Sequence, residues 1–176
     1  MTGPDLSRLA PSDAAVALRS LPRRFGAVLR APIAEDRPAG HDDLVQRIGP
    51  DGHSAVDHAV HVVRSLALLD RAIEQVLTSA EPVLHPAVVD DHGRWVDDHG
   101  HPPEPDDVLA DLAAVAERLA GRVARVPAAD WSRTGRVARD GGTVSAHDLL
   151  REAVGQAVEH LHDAERTVAA LRGRSG

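Results

Sequence analysis

The chain has 176 residues, enough for one domain around a single filled core, and a formal charge of −7 with a pI near 5.8. An acidic balance without a basic stripe argues against a phosphate-backbone binder, so nucleic acid is not an expected partner. Cysteine, lysine and tyrosine are absent and all 20 basic residues are arginine, which excludes disulfides, thiolate metal sites, Schiff bases and phenol chemistry. Imidazole and carboxylate remain, from eleven histidines and 27 acidic residues. No stretch approaches the roughly 20 apolar residues of a membrane span, and the N-terminus has no apolar run after a basic region. The expected setting is the cytoplasm, with no membrane contact.

Residues 1–11 are polar and proline-bearing and read as a loose arm. A first helix follows from the start signals Pro11, Ser12 and Asp13 to about residue 31, with Val16, Leu18, Leu21, Phe25, Val28 and Leu29 as apolar positions and Pro22 expected to bend or interrupt it near Leu21. Arg19, Arg23, Arg24 and Arg30 fall on its wet side. Residues 32–52 are rich in Pro, Gly and Asp and read as a connection with one short helical turn near Leu44.

The second long helix is announced by Ser54 and Asp57, a capping-box spacing, and by a stripe from Ala55 through Ala59, Val62, Leu66, Leu69 and Ile73 to Val76. His58 and His61 lie on or beside that stripe. Residues 81–106 have no helical period, and a loop of that length is usually functional or mobile. It holds a small repeat, Val89-Asp90-Asp91-His92-Gly93 and Val96-Asp97-Asp98-His99-Gly100, separated by Arg94 and Trp95. The repeat reads either as turn chemistry or as a cation loop using Asp91 and Asp98; Trp95 is expected to plug the loop onto the helices.

A third helix starts after Pro105 and runs through Leu109, Leu112, Val115, Leu119 and Val123 to a stop at Pro127. The last begins at Ser145 with Asp148 three residues on, and Leu150, Val154, Ala157, Leu161, Ala164 and Val168 form its core stripe. In projection Glu159 and His162 share one shoulder of that stripe and His160 takes the other. Four long helices and no evident strand alternation make an all-α four-helix bundle over residues 1–176, with a long loop between the second and third helices.

Histidines on one helix and acid plus imidazole on another are how bundles build metal sites, and zinc, nickel, manganese or iron would accept such donors. The competing reading is a set of ordinary solvated side chains. Four stretches, LRSLPRRF at 18–25, GHSAVDHAVHV at 52–62, DWSRTGR at 130–136 and VEHLHD at 158–163, together resemble the DinB-like superfamily of four-helix bundles, which includes bacillithiol-type transferases and mycothiol-dependent maleylpyruvate isomerases. The resemblance is closest to actinobacterial proteins of the DinB family. It implies one ligand histidine on the second helix, matching His61, and two ligands four residues apart on the last, matching Gly155 and Glu159. Gly155 departs from that pattern and offers no side chain.

The expectation that follows is a divalent metal held by His61, Glu159 and His162, with His58 or His160 as a base. The chemistry implied is transfer, isomerisation or hydrolysis of a small-molecule substrate. By analogy with that resemblance, any thiol involved would be a low-molecular-weight one such as mycothiol, since the chain has no cysteine of its own. The alternative is a non-catalytic bundle with a degenerate metal site, acting as a binding module or homodimer.

Overall fold

The computed structural model describes residues 6–34, 37–38, 40–45, 49–88, 103–138 and 141–174. The duplicated DDHG segment and Trp95 lie outside the described residues. The elements run α1 (Pro11–Leu29), β1 (Pro32–Ala34), β2 (Arg37–Pro38), α2 (His41–Val45), α3 (Ala55–Thr78), β3 (Val83–Leu84), α4 (Pro105–Val123), β4 (Thr134–Val137), β5 (Thr143–Ser145) and α5 (Ala146–Arg174). The four long helices are those the apolar periodicity predicts, and the fold is a four-helix bundle.

Both serine starts work as capping boxes. Ser54 Oγ accepts from Asp57 N–H at 3.1 Å while Asp57 Oδ2 accepts from Ser54 N–H at 2.8 Å, and Ser145 with Asp148 does the same at 3.0 and 3.2 Å. Each box satisfies two backbone donors that a helix start would otherwise leave open. The third helix, expected to start after Pro105, includes that proline in its first turn, with Glu104 at the N-cap position making no side-chain cap bond. Pro22 was expected to bend or interrupt α1, yet the helix is continuous across it. Leu18, Leu21 and Phe25 bracket the proline and are all buried, so packing holds both halves of α1 in one helix. Val16 faces solvent at 68 % exposure, and Ala14 and Ala15 fill that level of the core.

The largest packing faces are α3 on α5 and α1 on α4, followed by α3 on α4 and α1 on α5. Around the bundle the order is therefore α1, α4, α3, α5, with α1 and α3 across one diagonal. Phe25, Leu66, Leu69, Ile73, Leu112, Leu119, Leu149, Leu150 and Leu161 meet in the middle, each excluded from water and each contributing about 1.5–3 kcal/mol of burial.

The sequence offers no strand signal, yet two small sheets are present. β1 pairs with β2, and β4 lies between a parallel β3 and an antiparallel β5. With two to four residues each, these strands are too short to alternate visibly. The three-stranded patch explains the DWSRTGR stretch. Trp131 is buried under the bundle end, Arg133 donates to the α3 carbonyls of Val76 and Ser79 at 3.2 Å, and Gly135 sits where a Cβ would press on Leu84 and Val76 at 3.0 Å. Arg133 also accepts the Ala146 N–H through its carbonyl, so it joins the end of α3 to the start of α5.

Candidate metal centre

Because the end of α3 meets the start of α5, these helices are antiparallel, and the first turns of α3 face the second half of α5. That pairing assembles the imidazoles. His58, fully buried, places Nδ1 at 3.3 Å from His160 Nδ1, and the His61 ring lies 4.2 Å from the His160 ring between centroids. His61 is buried as well, with Ser65 Oγ 3.3 Å from its Nε2. Ser65 is one turn further along α3 and steadies the ring.

Burial drives the titration. His160 is pushed down to about 3, first by loss of water and then by His61 and His58 beside it. His58 is also lowered by burial, against the opposing pull of Asp51 and Asp163. Both rings are neutral at pH 7, the form that donates a lone pair to a metal.

The third contribution comes from α5. Asp163 is three residues past His160, and one donor atom from each of His58, His160 and Asp163 falls within 4.8 Å of the others. Arg166 holds Asp163 Oδ1 at 2.6 Å, leaving the carboxylate a second oxygen. Two nitrogens each 2.0–2.1 Å from a tetrahedral zinc stand about 3.3 Å apart. The observed Nδ1 to Nδ1 separation already has that value, and it also suits a hydrogen bond between the metal-free rings. Two imidazoles and one carboxylate are the donor types that a borderline divalent cation such as zinc would accept. One turn before His160, Gln156 donates from Nε2 to Glu152, while its buried Oε1 has no hydrogen-bond partner among the described residues.

A tight turn closes the site from outside the helices. Gly49 N–H donates to His53 O at 2.7 Å, Gly52 takes φ +88°, and Asp51 Oδ1 accepts from His53 N–H at 3.1 Å. Asp51 Oδ2 then lies 3.2 Å from His58 Nε2, off the line of a good hydrogen bond. Gly49 permits this docking, since a Cβ there would stand 2.1 Å from Thr167 Oγ1 on α5.

Of the five residues expected from sequence, the structure brings together His58, His61 and His160. Glu159 and His162 are exposed and are not part of the donor trio. They lie about 100° and 160° from His160 in projection, so once His160 faces α3 both must face away from it. Gly155 lies under the N-terminal segment, where Leu6 would sit 3.2 Å from a Cβ. That segment, expected to be loose, is tied down over residues 6–10: His147 Nε2 meets Leu9 O at 2.9 Å and Arg151 donates to Ser7 O at 3.1 Å. Sequence reasoning missed Asp163, Asp51 and Ser65. His160 and Asp163 carry the three-residue step of a bundle ligand pair, which was a usable signal; Asp51 had none.

A four-helix bundle with an imidazole and carboxylate cluster between two antiparallel helices is thus what the coordinates define. No protein-family model matches the chain, and no curated protein matches it significantly. Among solved structures it is similar to YfiT from Bacillus subtilis, described as a probable metal-dependent hydrolase with an unusual four-helix bundle topology. The TM-score is 0.62 at 15 % identity, covering 100 % of this chain and 93 % of YfiT. At that identity the likeness establishes the shared bundle fold.

Proposed function

We propose that this bundle is a divalent-metal-dependent enzyme for a small-molecule substrate, with hydrolysis as its reaction class. The observation that carries the reading is the convergence of His58, His160 and Asp163 from two facing helices. The description of YfiT as a probable metal-dependent hydrolase supports it, as does the resemblance to DinB-like proteins. When bound, a divalent cation supplies Lewis acidity, polarising a carbonyl or acidifying a water.

The protein's own groups do the rest. His58, His160 and Asp163 hold the cation, and Arg166 orients the carboxylate of Asp163. His61 stands outside that trio, so its imidazole is the group available to take up and return a proton, with Ser65 fixing the ring plane. Roles thereby exchange relative to the sequence expectation: His58 and His160 become ligands and His61 the base. The thiol-dependent version of the chemistry uses the same groups with an external thiol, mycothiol for example, in place of water.

Metal content of tag-free protein purified without chelator tests this, read by mass spectrometry beside His160→Leu. Near-stoichiometric metal in the wild type and none in the variant is expected, followed by metal-dependent turnover in a panel of small esters and amides run with and without thiol. Metal-free protein whose thermal midpoint does not move on adding zinc, nickel, manganese or iron would overturn the reading and leave a non-catalytic binding or dimerisation module.

A further inference from the structure

We infer that Asp51 is a positioning residue for His58, selecting the ring tautomer in which Nε2 carries the proton and Nδ1 presents its lone pair toward His160. The inference rests on the proposed role of His58 as a metal ligand and adds a group that neither the helices nor the donor trio contain.

His58 has one nitrogen on each side of its ring. Nδ1 lies 3.3 Å from His160 Nδ1 in hydrogen-bond geometry. Nε2 lies 3.2 Å from Asp51 Oδ2, a close contact with the carboxylate charge that is out of line for a hydrogen bond and acts on the ring electrostatically. A carboxylate can only accept, so it favours the N–H on the Nε2 side, and the Nδ1 lone pair is then directed at the donor cluster. A carboxylate behind a ligand imidazole orients the ring and raises its basicity, and losing such a partner weakens metal binding about 10- to 100-fold.

The turn is built to deliver that oxygen. The other carboxylate oxygen, Oδ1, is occupied by the His53 N–H, an Asx turn that sets the side-chain rotamer. Gly52 adopts the left-handed conformation that closes the loop, and Gly49 is pressed against Thr167 on α5, the same helix that carries His160 and Asp163. The segment that aims Asp51 is thus registered directly against the helix bearing two of the three donors. His53 belongs to the same arrangement, with its ring edge-on to His58 at 6.0 Å between centroids.

The test separates the tautomer from the metal. Asp51→Asn keeps an oxygen for the His53 N–H and turns an NH2 toward His58 Nε2, placing a donor where an acceptor stood. In metal-free, uniformly 15N-labelled protein, long-range 1H–15N correlation spectra should show His58 as the Nε2–H tautomer in the wild type and as the Nδ1–H tautomer in Asp51→Asn. Zinc affinity by chelator competition should fall 10- to 100-fold. Asp51→Ser, which preserves a hydroxyl for the turn but lacks Oδ2, should give a mixed tautomer and an intermediate loss.

Thermal midpoints in chelator should match the wild type for at least one of the two variants, which a purely structural role would not allow alongside the affinity loss. Wild-type tautomer and wild-type zinc affinity in both variants would overturn the inference. A wild type that binds no zinc would remove the metal reading, and the tautomer spectra would still decide whether Asp51 sets the His58 proton.

Discussion

Helix α3 buries polar groups on two flanks, and the two flanks are finished in opposite ways. Toward α4, the Asp70 carboxylate is buried and met by Arg122 at 2.6 Å and Arg118 at 3.3 Å, so an acceptor is enclosed by donors that cancel its charge. Toward α5, His58 meets another imidazole and two carboxylates, a cluster rich in acceptor atoms of the kinds that bind metal. The first arrangement is complete as it stands and serves to register two helices. The second gathers metal-type donors from two helices and a loop, which is why one cluster reads as structure and the other as a candidate site.

The sharpest way to break that contrast is to remove one donor. Replacing His160 with leucine should weaken zinc binding by more than about a hundredfold in chelator competition, while the metal-free protein keeps or gains thermal stability because an apolar group replaces a buried polar one. A variant that still binds zinc as the wild type does would sink the assignment. Acid should separate the two flanks next. Burial holds His58 and His160 below the ordinary imidazole value near 6.5, so below that pH the unfolded chain takes up protons that the native state refuses. Stability of the metal-free protein is therefore full above about pH 6.5 and falls as pH drops toward the folded value, about 3 for His160. Denaturant titrations should show about 1.4 kcal/mol lost by pH 5.5 through His160, with the His58 loss in the same direction added to it. The double variant with leucine at both positions should have a flat profile over that range.

On the other flank the expected pattern inverts. Asp70→Ala should lower stability by about 1–2 kcal/mol, discounted from a fully buried pair because the Arg118 side chain is 55 % exposed, and should leave zinc affinity unchanged. A parallel fall in zinc affinity would show that the two clusters are coupled through α3. The smallest effects belong to the residues that resemblance singled out. Glu159→Ala and His162→Ala should each change zinc affinity by less than about twofold and stability by less than about 0.5 kcal/mol, since both are exposed on the face of α5 turned away from α3. A large loss of zinc from either would restore the sequence-based ligand set.

The bundle was legible because its cues are local. Ser54 with Asp57 and Ser145 with Asp148 announce helix starts within four residues, and the spacing of Leu66, Leu69, Ile73 and Val76 needs only the helical period to be read as buried. Pro22 does not interrupt α1, whose buried Leu21 and Phe25 flank it in one continuous helix. The site was half legible. His58, His61 and His160 stood out by type and spacing, but the choice between the His160 shoulder and the Glu159 and His162 shoulder required knowing which side of α5 meets α3. The family resemblance pointed to Gly155 and Glu159; in the structure Gly155 lies beneath Leu6.

From its sequence alone this chain determines four amphipathic helices, their starts, and a chemistry limited to imidazole and carboxylate, because each follows from residue type and from neighbours three or four positions away. The tertiary structure decides the rest. The antiparallel seating of α3 on α5 selects which histidines converge and rotates Glu159 and His162 out to solvent. The docking of Gly49 on Thr167 brings in Asp51, from a loop with no ligand spacing at all. Contacts between residues about a hundred positions apart depend on helix rotation and loop seating, which no local period encodes.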